Sequence, residues 1–112
     1  MALPTNKVIC LCGSTRFREE FDKVNAQLTL DGYIVLAPGV WGHSNPEHAK
    51  MLEGHPELKF QLDKLHYRKI DMAGQVRIIV VDDYFGPSTL AEIEYAASQR
   101  KPITYHRVYT RF

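Results

Sequence analysis

The stretch Lys7-Val-Ile-Cys-Leu-Cys-Gly-Ser-Thr-Arg16 constrains this chain more than any other. Its apolar run to Cys12 lacks the alternation of a half-exposed strand, so it predicts a strand buried on both faces and ended by Gly13. Such a strand needs cover above and below. Phe17, Phe21, Val24 and Leu28 then recur at helical spacing as far as Asp31-Gly32. Tyr33 to Ala37 reads as a second short strand, closed by the turn signal Pro38-Gly39. Strand, helix and strand make one β-α-β unit, which commits the chain to a parallel sheet.

The rest of the chain extends that pattern. From Gly39 to about residue 57, Gly, Pro, His, Asn and Ser abound, and the segment reads as a lid-like loop. Leu58, Leu62, Leu65, Ile70 and Ala73 mark a second helix with Lys64, Arg68 and Lys69 on its solvent face, and Gly74 ends it. Val76 to Val81 is the third strand, residues 82–88 a loop, Thr89 to about Gln99 a third helix, and Pro102 to Tyr105 a fourth strand. His106 to Phe112 reads as a frayed tail or a piece of subunit interface. Residues 1–112 are thus expected to form one α/β domain of doubly wound, flavodoxin-like or Rossmann-like three-layer type. Its sheet is mainly parallel and four-stranded, in the order 2-1-3-4. In such a sheet the strand order reverses between strands one and three, and ligands bind beyond the carboxyl ends there.

Composition narrows the function classes. With 45% hydrophobic residues among 112, the chain can build a core. A formal net charge of +1 offers no field to draw in a nucleic-acid polymer or an anionic membrane. No apolar stretch nears the roughly 18 residues of a membrane span, and Met1 to Lys7 lacks the apolar run of a signal peptide, so a cytoplasmic protein is expected. Cys10 and Cys12 share one face of their strand and read as small buried thiols that cannot easily bridge. The irregular spacing of His43, His48 and His55, near Glu47 and Glu53, fits no standard metal site. No metal or cofactor is expected.

The two loops at the reversal point hold the residues with chemistry. Gly13, Ser14, Thr15 and Arg16 open a helix, where backbone N–H groups and the helix dipole favour an anion; Ser14 or Thr15 can equally be a plain helix cap. Arg16 can grip a phosphate with two parallel hydrogen bonds. Thr89-Leu-Ala-Glu92 matches a capping box, and the same Glu92, ionised near a helix terminus, could serve a bound sugar. Asp82 and Asp83 either open a polar turn or divide acid and base work in the crevice. Trp41 and Tyr84 are candidates for stacking on a base, or for packing the lid.

Cys12-Gly-Ser-Thr-Arg16 after the first strand, together with Glu92-Ile-Glu-Tyr-Ala96 in a helix after the third, resembles the nucleoside 2-deoxyribosyltransferase superfamily, including the branch that hydrolyses nucleoside 5'-monophosphates. The resemblance implies cleavage or transfer at an N-glycosidic bond. Glu92 would be the nucleophile, and Gly13 to Arg16 with Ser88 would contact the sugar or its 5'-phosphate; from the paired acids themselves, Asp82 or Asp83 is expected to assist departure of the base. Three positions depart from the family pattern. Cys10 stands where well-studied members have tyrosine, His66 where they have aspartate, and Glu94 where they commonly have glycine. His66 could donate a hydrogen bond to sugar or phosphate, or be a structural partner. The chain is shorter than many members, so a homo-oligomer whose neighbouring subunit completes the pocket is expected. Two other classes stay open: a nucleotide-binding module without turnover, and a small interaction domain.

Overall fold

The structure, a computed structural model, describes residues 7–110. Four strands form one all-parallel sheet: β1 (Val8–Cys12), β2 (Ile34–Leu36), β3 (Gln75–Val81) and β4 (Ile103–Val108). Their order is β2-β1-β3-β4, as expected, with Cys10 opposite Leu36 on one side and Val76 on the other. Helices cover both faces because β1 and β3 are apolar on both. On one face α1 (Arg18–Leu30) buries Phe21, Val24 and Leu28 against Ile9, Leu11 and Ile79. On the other, Ile70 of α3 (Pro56–Met72) and Ala96 of α4 (Pro87–Ser98) pack on Cys10, Cys12, Val76, Ile78 and Val80. Among the described residues, no helix is long and apolar enough to cross a membrane.

Three boundaries differ from expectation, each for a local reason. The segment from Gly39 to residue 57 is not a plain loop, for it contains a two-turn helix, α2 (Pro46–Leu52). Asn45 caps it, its Oδ1 accepting from the N–H of Glu47 at 3.0 Å and of His48 at 3.2 Å, and Pro46 suits a first helical position. α3 likewise starts on a proline, Pro56. α4 starts at Pro87 with Gly86 as its N-cap, two residues earlier than Thr89. Thr89 is therefore no cap, and Glu92 lies in the second turn, so the capping box does not form. β4 runs on through His106, Arg107 and Val108, which pair with Ile79, Val80 and Val81. That places His106–Val108 in the sheet rather than in a tail; Arg111 and Phe112 lie outside the described residues.

Candidate functional site

Gly13 leaves β1 at φ +150°, and a Cβ there would stand 2.8 Å from the carbonyl oxygen of Ile79. Only glycine lets the chain turn so close to β3. A single 3-10 turn, Thr15–Phe17, follows before α1. Ser14 caps it, its Oγ accepting from the N–H of Arg16 at 3.4 Å. The hydroxyl of Thr15 sits 2.7 Å from His43 Nδ1, and Ser44 Oγ donates to the carbonyl of Thr15 at 2.7 Å. These bonds fasten the loop to the segment leading into α2. The Arg16 guanidinium lies over the ring of Tyr84, 4.5 Å from its centroid.

Beyond the carboxyl ends of β1 and β3 lies a cavity of about 1030 Å³, open to solvent. Gly13 to Arg16 form one wall, Tyr84, Ser88 and Glu92 another, and His66 of α3 also lines it. Of the sequence-based candidates, these eight come together although they derive from three separate parts of the chain. Lys50, Lys59 and Lys69 lie on the same cavity. Lys69 was expected on the solvent face of its helix, yet its Nζ reaches back to donate to the carbonyl of Ala37 at 2.7 Å.

The other three candidates stand elsewhere. Trp41 is 6% exposed and belongs to the core under α1, edge-to-face with Phe21 at 5.1 Å, with Arg18 over its ring. It does not line the cavity. Asp82 and Asp83 take up left-handed backbone conformations at φ 49° and 59°, a turn that aspartate tolerates. Asp82 Oδ1 accepts from the N–H of Thr110 at 2.8 Å, and Asp83 Oδ1 accepts from the Tyr109 hydroxyl at 3.0 Å. Both acids brace the chain after β4, off the cavity lining, because the sharp turn after β3 carries them toward the sheet edge. The polar-turn reading of these residues holds, and neither lines the cavity.

Beneath Glu92 lies a polar cluster inside an otherwise apolar layer. Cys10 and Cys12 are fully buried, and His66 and Glu92 are 6% and 9% exposed. His66 Nε2 stands 3.6 Å from Cys10 Sγ, 3.3 Å from Cys12 Sγ and 3.9 Å from Glu92 Oε2. Glu92 Oε1 is buried and has no hydrogen-bond partner. Burial outweighs the attraction of His66 and pushes the Glu92 carboxyl up to about 7, opposite in direction to the expected stabilisation of the ionised form at a helix terminus. Burial pulls His66 down, but its bond with Cys10 and the Glu92 charge more than offset that and leave it above its ordinary value. The bond with Cys12 holds the Cys10 thiol down at about 5, while the same bond and burial drive Cys12 well up.

The sequence reading missed this cluster as a unit. Its signal was present: His66, Ile70 and Ala73 lie four and three residues apart, and Glu92 and Ala96 four apart, so both polar residues sit on the core-facing stripe of their helices. A titratable residue on such a stripe, facing two cysteines of one strand face, is the pattern to look for.

The fold and cavity define a doubly wound α/β protein with a ligand-sized crevice at the point where strand order reverses. No protein-family model matches the chain, and no curated protein matches it.

Proposed function

We propose that the cavity holds a nucleoside or nucleoside 5'-monophosphate and that Glu92 cleaves its N-glycosidic bond. The observation that carries this reading is a carboxylate on the cavity wall with one buried oxygen, Oε1, that no group of the protein satisfies. A buried acceptor without a donor costs about 1–3 kcal/mol, which a sugar hydroxyl donating to it would relieve. The resemblance of Cys12 to Arg16 and of Glu92 to Ala96 to the nucleoside 2-deoxyribosyltransferase pattern points the same way. Arg16 and the N-terminal turn at Ser14 supply donors for the 5' end, with Lys59 and Lys69 adding positive charge on the same cavity.

The chemistry follows from Glu92. Its carboxylate oxygen forms a bond to C1' while the C1'–N bond breaks, and the bonding pair leaves with the base, which takes a proton from solvent in the open cavity. Water then attacks C1' of the glycosyl ester, freeing sugar or sugar phosphate and regenerating Glu92 with retained stereochemistry. With Asp82 and Asp83 off the cavity, no aspartate of the turn after β3 takes part.

Chromatography of a panel of nucleosides and their 5'-monophosphates tests the reading. Free base is expected from the wild-type protein, and Glu92→Gln should slow its release by roughly a thousand-fold or more. Turnover unchanged in Glu92→Gln removes the nucleophile. Thermal stabilisation by a nucleotide without any base release makes the domain a binding module instead.

A further inference from the structure

Three polar atoms approach a single nitrogen in the layer between β1, α3 and α4. Cys10 Sγ and Cys12 Sγ stand 3.6 Å and 3.3 Å from His66 Nε2, and Glu92 Oε2 stands 3.9 Å from it. An imidazole nitrogen carries either one N–H or one lone pair, so it serves one hydrogen bond at a time. The two thiols also bond to each other, and Cys10 bonds to the carbonyl of Leu11 and Cys12 to Glu92, yet both sulfurs still converge on the one nitrogen. One cation held between Cys10, Cys12 and His66 accounts for that convergence. In a tetrahedral zinc site, bonds of about 2.3 Å to sulfur and about 2.0–2.1 Å to nitrogen put those two atoms about 3.5 Å apart. The separations of 3.3 Å and 3.6 Å bracket that spacing. The donor atoms of Cys10, Cys12 and His66 all lie within 4.8 Å of one another, and each residue is buried.

We propose that Cys10, Cys12 and His66 bind a zinc-class divalent cation, with the fourth coordination position turned toward Glu92 and the cavity. The donor set selects the ion: two thiolates and an imidazole suit zinc and disfavour magnesium or calcium, which prefer oxygen. Binding forms two metal–sulfur bonds and one metal–nitrogen bond to two thiolates and a neutral imidazole, with the protons those three groups still carry released to solvent. Two thiolates cancel the double positive charge, so the filled site carries no net charge into the core. It would pin β1 to α3 directly behind Glu92. The cation would lie on the Oε2 side of that carboxylate. The metal site goes beyond the glycosidic reading and does not depend on it.

Cobalt is the probe, because bound thiolate gives it a charge-transfer band in the near ultraviolet and tetrahedral geometry gives it visible absorption. The chain has two cysteines in all, Cys10 and Cys12, so a cobalt–thiolate band reports on this place alone. The full chain, purified in reductant and stripped with chelator, should retain one cobalt per chain through gel filtration and show both absorptions. Added zinc should displace the cobalt and bleach the bands. Cys12→Ala and His66→Gln, with folding checked by circular dichroism, should each weaken cobalt binding by more than about 100-fold. If either variant unfolds, the wild-type protein decides alone. No retained metal and no charge-transfer band in the wild-type protein overturns the site, as does unchanged cobalt affinity in folded Cys12→Ala. Metal content and absorbance are read without any substrate, so this outcome and that of the base-release assay are independent.

Discussion

The two faces of β1 differ in kind. Ile9 and Leu11 point into a layer made with Phe21, Val24, Leu28, Trp41 and Ile79, all of it hydrocarbon or aromatic. Cys10 and Cys12, one residue along in each case, point to the opposite layer, where they meet His66 and Glu92. One strand thus holds the sheet together with alternate residues and builds a polar cluster with the others. The α1 layer stabilises; the α3–α4 layer carries the groups able to bind or react. The comparison teaches where this fold tolerates a cost, since a carboxylate with an unpartnered oxygen persists only where the surrounding strands over-determine its position.

Substitutions divide along the same line. The largest effect on stability is expected in the hydrocarbon layer: Leu28→Ala, at the far end of α1 from Gly13, should cost about 2–5 kcal/mol by urea denaturation, with base release per folded molecule unchanged. A change in release out of proportion to the folded fraction would break the division of labour between the layers. Gly13→Ala should come next. Its new Cβ would meet the Ile79 carbonyl at 2.8 Å in a backbone conformation that side chains rarely adopt. That should lower stability by roughly 1–3 kcal/mol. The same change should also weaken nucleotide binding, because the loop it strains forms a cavity wall; calorimetric titration with a nucleoside monophosphate would show this. The smallest effect belongs to Asp83→Asn. Asp83 is exposed, and its contacts are a Tyr109 hydroxyl and an Arg107 pair at 3.4 Å. A loss under about 1 kcal/mol and unaltered base release are expected. A large drop in release there would return the turn after β3 to the chemistry.

Much of the site was readable before the structure, and the reasons are local. Gly13, Ser14, Thr15 and Arg16 announce themselves because a buried strand ending in glycine before a helical stripe leaves few geometries for the turn. The same logic places Tyr84, Ser88 and Glu92 on the cavity. Asp82 and Asp83 escaped it because the direction of a side chain in a tight turn depends on φ at that residue, and both adopt the left-handed region. Trp41 escaped it for another reason. Stacking on a base and packing of the lid fit Trp41 equally in the sequence, and the contacts with Phe21 and Arg18 of α1 decide for packing. The helix α2 was legible in the pair Asn45-Pro46, a cap followed by a first-position proline, but its surroundings of glycine and histidine read as loop.

Sequence alone determined the layer order, the parallel sheet and the loop at Gly13, since hydrophobic periodicity and a glycine stop are properties of neighbouring residues. It also placed Cys10 and Cys12 on one strand face. Tertiary structure alone decided what that face meets. His66 and Glu92 lie 54 and 80 residues beyond Cys12 in the chain, on two different helices, and their approach depends on how α3 and α4 pack across the sheet. Periodicity marks which residues face inward. Which inward residues meet is set by helix packing and register, and on that meeting rest both the unpartnered oxygen of Glu92 and the convergence of two sulfurs on one imidazole nitrogen.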